Sequence, residues 1–207
     1  DLVEDRSRYG RLVCWRRIDP KGEVTTRVTY EEVVSRSKAA AARLVKDGVG
    51  PGDRVMLLSE NCPEWGLGYF GALFAGATAV PLEPGTDATR VVTLLKASKA
   101  KVCLVSAQTR AAGAKDLEAR VKAEGLACRV RSLEEAVAAA GKGEELPKIP
   151  HEADLVPRAP ASLIYTSGTT GNSKGVLLSH EAFCRQVRAI ASLFTLGGDD
   201  RILSVLP

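Results

Sequence analysis

Short β-type runs alternate with helical patterns along most of this 207-residue chain, and that alternation narrows the fold more than any other feature. Runs at 12–17 and 24–29 flank the turn signal Asp19-Pro-Lys-Gly22 and read as paired strands. Thr29 then caps a helix. Glu32 stands three residues on, the capping-box spacing in which each side chain takes up the other's free N–H. Val33, Ala40, Ala41, Leu44 and Val45 make the apolar stripe of that helix, and Gly48 is its stop. Further strands are expected at 54–59, 78–82, 101–106 and 127–131. Helices fall between them: one opens at Pro63, whose missing N–H is no loss in a first turn, and others cover 86–97 and 110–124. A second capping box, Ser132 with Glu135, opens a helix through Ala139. Strands separated by helices pair in parallel through right-handed crossovers. The expected fold is α/β, a mostly parallel, doubly wound sheet with flanking helices.

The alternation breaks at 141–160, where four prolines and mixed charges leave no periodicity. Beyond it come a strand at 161–166, a second at 175–178, a helix from His180 to about 194 capped by Ser179, and a last strand at 201–206. The chain therefore divides into a first α/β subdomain (1–140), a connector (141–160) and the start of a second α/β subdomain (161–207). The first residue is not methionine and nothing follows the last strand, so both ends are expected to be cuts in a longer protein.

Composition removes several function classes. A net charge of +4 with no basic stripe interleaved with aromatics gives no reason to expect nucleic acid. The five cysteines, Cys14, Cys62, Cys103, Cys128 and Cys184, are scattered, odd in number and without C-x-x-C spacing. Reduced thiols in a cytoplasmic protein fit that pattern better than a disulfide framework or a zinc site. No apolar leader opens the chain. Residues 65–82 carry no charge, yet four glycines within 66–76 and Pro81 split them into a helix and a strand rather than a membrane span.

Chemistry concentrates in Tyr165 to Gly175, YTSGTTGNSKG. Three glycines, five serine or threonine hydroxyls and one lysine follow directly on an apolar run. Glycines let main-chain N–H groups approach a ligand closely, and successive N–H groups in a turn form an anion-binding concavity. Hydroxyls add donors, and a lysine adds a point charge suited to phosphate. The segment is built to hold a polyphosphate. A Walker-type P-loop is the rival, but Ser173 replaces its second glycine and Gly175 its final hydroxyl, the Mg²⁺ ligand. A ligand-free surface turn is the plain alternative.

YTSGTTGNSKGVLLSH closely resembles the phosphate-binding signature of the adenylate-forming superfamily of acyl-CoA synthetases, luciferases and peptide-synthetase adenylation domains. Gly48-Val-Gly-Pro-Gly-Asp-Arg-Val55, Asn61-Cys-Pro-Glu-Trp65 and Gly71-Ala-Leu-Phe-Ala-Gly-Ala-Thr-Ala-Val-Pro-Leu82 resemble its earlier segments, in order. Ser173 departs from the proline usual before the motif lysine, which loosens the loop without removing a donor. The resemblance implies the opening part of a large N-terminal domain. It also implies ATP with Mg²⁺, a carboxylic acid activated to an acyl-adenylate, and coenzyme A as thiol acceptor. Nucleotide phosphates would be held by Thr166, Ser167, Gly168, Thr169, Thr170, Gly171 and Lys174.

The ending Ile202-Leu-Ser-Val-Leu-Pro207 resembles bacterial long-chain fatty acid–CoA ligases, so a fatty acid is the expected substrate. An enzyme loading an amino or other acid onto a carrier protein is the alternative, and a non-catalytic phosphate-binding module is another. Residues 1–207 alone are expected to be inactive, and no catalytic residue is assigned among them. His180, six residues past Lys174, reads either as a general base or as a first-turn residue packed locally. His151 falls in the polar connector. Trp65, Tyr69, Phe70 and Phe74 recur at helical spacing and read as core.

Overall fold

Side chains alternate between the two faces of a strand, and in the central strands both faces are apolar, so the core forms in two layers. In β3 (Arg54–Leu58), Val55 and Leu57 enter one layer while Met56 and Leu58 enter the other. The computed structural model describes residues 9–150, 156–166, 174–194 and 200–204. Within them β4 (Thr78–Leu82), β5 (Val102–Val105), β6 (Arg129–Ser132), β7 (Pro160–Thr166) and β8 (Lys174–Ser179) join β3 in a six-stranded sheet. Its order is β6-β5-β3-β4-β7-β8, parallel except for β8 against β7. A separate antiparallel pair, β1 (Val13–Ile18) and β2 (Val24–Thr29), precedes it.

Helices cover both faces, as a doubly wound sheet requires. α1 (Tyr30–Lys46), α2 (Pro63–Phe74) and the single turn α6 (Leu133–Ala136) build the layer with Val55 and Leu57. α3 (Ala88–Ser98) and α5 (Leu117–Ala123) build the layer with Met56 and Leu58. α1 starts as its sequence dictates: Thr29 accepts the N–H of Glu32, and the Glu32 carboxylate accepts the N–H of Thr29 at 2.8 Å. α1 and α2 pack closely because α2 offers glycine at the contact. A Cβ on Gly71 would lie 2.8 Å from the Ala40 Cβ and 3.3 Å from the Ser37 carbonyl oxygen.

Three expectations change in the structure. The helix expected at 110–124 is two helices, α4 (Ala107–Ala112) and α5, parted at Gly113. Ser106, read as the end of a strand, instead accepts the Thr109 N–H and starts α4 early. The helix expected through Ala139 is only α6. Ser132 takes the Glu135 N–H, but arginines from α1 seize the carbonyls that would continue the helix. Arg36 Nε donates to the Val137 carbonyl at 2.9 Å, and Arg43 Nη1 to those of Ala136 and Ala138 at 2.9 and 2.7 Å. Arg43 then grips both oxygens of Glu144 at 2.8 and 2.7 Å, tying the start of the connector to α1.

Last, residues 201–204 carry no strand, and 205–207 lie outside the described residues. Ile202 and Leu203 are 81% and 72% exposed, and a β-type sequence becomes a strand only where a neighbour completes its ladder. Other boundaries shift by one or two residues. α7 (His180–Leu193), capped by Ser179, buries none of its residues. Among the described residues no helix is long and apolar enough to cross a membrane.

Candidate functional site

The two strands that bracket YTSGTTGNSKG form an antiparallel hairpin. Its register runs through Leu163↔Leu177 and Tyr165↔Gly175 to Thr166↔Lys174. The structure thus brings two predicted phosphate ligands, Thr166 and Lys174, directly opposite one another at the mouth of the loop. Thr166 Oγ1 donates to the Lys174 carbonyl at 3.4 Å. Ser167, Gly168, Thr169, Thr170 and Gly171 lie outside the described residues. Cross-strand partners share a face, so Thr166 and Lys174 stand on the face of Ile164 and Val176. Leu163 and Tyr165 take the other face and pack onto the α3–α5 layer, where burial raises the Tyr165 pKa.

The sheet sets where this mouth lies. β7 runs parallel to β4, so its last residues emerge at the edge where β3, β4 and β5 also end. From that edge the chain leaves β3 toward α2 on one face and leaves β4 toward α3 on the other. A divergence of that kind opens a crevice at the carboxyl ends of the strands, where open α/β sheets take their ligands. β7 is held to β4 by the pair Ala79↔Ser162 and by two hydroxyls. Ser162 Oγ donates to the Ala79 carbonyl at 3.3 Å, and Thr78 Oγ1 to the Pro160 carbonyl at 3.1 Å. Burial raises the pKa of Tyr69 on α2, and the Ser162 side chain opposes that shift.

One polar cluster at this edge escaped the sequence reading. Glu60, just past β3, accepts from Ser106 Oγ at 2.5 Å and Thr109 Oγ1 at 3.2 Å, and Arg17 stands 3.9 Å from its other oxygen. Ser106 and Thr109 are buried, so the carboxylate satisfies hydroxyls that would otherwise be stranded. The cluster locks the turn after β3 to the start of α4. Nothing in Ser59-Glu-Asn61 signals this, because its partners lie 46 and 49 residues away.

His180 opens α7 and lines a broad cleft between α2 and α7 that also takes in Trp65, Tyr69, Phe183 and Cys184. Its ring is half-buried, which lowers its pKa and favours the neutral form. Glu181 beside it is engaged by Arg185 at 2.6 Å and Arg158 at 3.5 Å. His151 lies outside the described residues. The aromatic residues of α2 pack as core: Trp15 stacks on Phe70 at 6.2 Å and Trp65 on Tyr69 at 5.2 Å. Among the described residues no group of three or more His, Cys, Asp or Glu could hold a metal ion.

Three comparisons bear on this arrangement. The sequence profile described as "AMP-binding enzyme" matches residues 9–207. Zwittermicin A synthase ZmaJ of Bacillus cereus is 33% identical over 180 residues, 87% of this chain and 31% of that protein. Long-chain-fatty-acid–CoA ligase FadD15 of Mycobacterium bovis is 31% identical over 200 residues, 89% of this chain and 32% of that protein. The chain thus spans about a third of the length of these relatives. Among solved structures, O-succinylbenzoate coenzyme A synthetase (MenE) of Bacillus subtilis, in complex with AMP, superimposes with a TM-score of 0.75. It is 22% identical, with 98% of this chain and 48% of that one covered, a likeness of fold.

Proposed function

The chain belongs to the AMP-binding, adenylate-forming enzyme family, and from that membership we propose that it carries the pyrophosphate-gripping part of an acid–thiol ligase. In this reading a carboxylate attacks the α-phosphorus of ATP. The α–β bridging bond breaks, and acyl-adenylate and pyrophosphate result. The thiol of coenzyme A then displaces AMP to give a thioester. Such transfer asks the protein for in-line positioning and for donors on the charge of the departing pyrophosphate, with little covalent help. Main-chain N–H groups from Gly168 to Gly171, the hydroxyls of Thr166, Ser167, Thr169 and Thr170, and the Lys174 ammonium are the proposed donors. The observation that carries the reading is the hairpin register, which sets Thr166 against Lys174 at the carboxyl edge of the sheet. Mg²⁺, when bound with the nucleotide, would offset part of the phosphate charge beside these donors.

We further propose a fatty acid as the substrate of the whole protein, on the strength of the segment ending in Leu206-Pro207 and the likeness to FadD15. A likeness to the L-proline–[L-prolyl-carrier protein] ligase of Streptomyces coelicolor, 32% identical over 179 residues, supports the carrier-loading alternative. ATP–pyrophosphate exchange by the full-length protein, screened with fatty acids and amino acids, separates the two. Exchange driven by amino acids and not by fatty acids would overturn the substrate assignment. A charge-assisted hydrogen bond contributes about 1.5–3 kcal/mol. Lys174→Ala should therefore lower exchange roughly 10- to 100-fold, at about 1.4 kcal/mol per tenfold. Unchanged exchange in that variant would remove the phosphate-binding assignment itself.

A further inference from the structure

We propose that Gly175 is a positioning residue for Lys174: its missing side chain leaves the space in which Leu163 and Tyr165 cross over β8 and so fixes where the lysine enters the loop. The proposal rests on the phosphate-binding reading of Lys174 and adds a cause for its placement. Gly175 does not have the positive φ that would make glycine a conformational need, so its role is one of space. A Cβ there would lie 2.8 Å from Leu163 Cδ1, closer than side-chain carbons approach, and 3.4 Å from Tyr165 Cε1. Both obstructing side chains pack onto the α3–α5 layer, so neither can swing outward without uncovering apolar surface.

Among the described residues β8 pairs with β7 alone, and its residues from Lys174 to Leu177 are exposed, so β8 is the partner that yields. A methyl group at 175 would push β8 away from β7 at that rung. The next rung is Thr166↔Lys174, closed by the Thr166 hydroxyl on the Lys174 carbonyl at 3.4 Å. The push therefore reaches the lysine through a single peptide unit. Displacement of a positioning group by about 1 Å can lower rate on the order of 100-fold.

The test is acid-dependent ATP–pyrophosphate exchange by the full-length protein carrying Gly175→Ala, Leu163→Ala, both together, or Lys174→Ala. Gly175→Ala should raise the KM for ATP about 10-fold or more, with the KM for the acid unchanged, since only the phosphate grip is displaced. In the Leu163→Ala background the space already exists, and Gly175→Ala should then raise the KM for ATP less than about 2-fold. That arm holds even where Gly175→Ala alone folds poorly. Loss of equal size in both backgrounds overturns the positioning role, as does a rise in both KM values together. If Lys174→Ala impairs exchange while Gly175→Ala does not, only this proposal falls. If Lys174→Ala has no effect, the phosphate-binding reading falls first.

Discussion

Replacing Gly71 with alanine sets two effects of opposite sign against each other, and the structure decides between them. Inside a helix alanine is favoured over glycine by about 0.8–1.0 kcal/mol, which taken alone would stabilise α2. The added methyl, however, would lie 2.8 Å from the Ala40 Cβ, 3.3 Å from the Ser37 carbonyl oxygen and 3.5 Å from the Ala41 nitrogen. Two of those atoms are backbone, and an alanine methyl has no rotamer to escape into. Relief must come from moving α1 away from α2, across a contact where Ser37, Ala40 and Ala41 are 0% exposed. Overpacking of that kind destabilises by about 1–3 kcal/mol. Set against the helix gain, a net loss of about 1 kcal/mol is expected, or about 2–4 °C in Tm for a chain of this size. Urea unfolding followed by far-ultraviolet circular dichroism measures it. Adding Ala40→Gly removes the obstructing methyl, so the double variant should lose less than the sum of the singles by about 0.5 kcal/mol or more. A Gly71→Ala variant stabilised by the full helix gain would show that α1 and α2 are not in close contact there.

Two further expectations follow from charge and burial. The Arg43 guanidinium, with help from the Gly141 N–H, holds the Glu144 carboxyl down from its ordinary 4.5 to about 2. A depressed carboxyl stabilises the folded state fully above the unfolded value and loses that contribution as pH falls, so the clamp should weaken between 4.5 and about 2. Arg43→Met should remove this acid-side dependence from the urea midpoint; an unchanged profile would discard the clamp. Burial pushes the Cys103 thiol of β5 far above its usual range, and that of Cys128, just before β6, to about 11. Iodoacetamide at about pH 8 should leave Cys103 unlabelled until the chain unfolds, since the thiolate is the reactive form, and mass spectrometry of native labelling would expose the error if it does not.

How much of this was legible beforehand varies with the range of the interactions involved. Continuous apolar runs located β3, β4 and β5, because a strand buried on both faces must be apolar throughout, and Thr29 with Glu32 marked the start of α1 because both partners lie within one helical turn. α6 ended early for a reason written elsewhere: the arginines that take its carbonyls sit on α1, about a hundred residues away, |i−j| being 101 for Arg36 and Val137. Glu60 was invisible for the same cause. At the loop, residue types announced the chemistry, while the opposition of Thr166 and Lys174 emerged only with the antiparallel pairing of β8. Local β character suggested a strand at 201–206, but among the described residues 201–204 have no ladder partner and form none.

The strand order also dictates an order of assembly. β3 to β6 join through single short crossovers, whereas β7 must be delivered from β6 to the far side of β4, a lateral jump of four strand spacings, about 19 Å. That closure is entropically the most demanding in the chain and is expected to come last. By gripping 136–144, Arg36 and Arg43 shorten the free tether before the jump is made. The hairpin bearing the lysine is thus a late arrival docked on a finished platform, and native-state hydrogen exchange should find it the first part to leave.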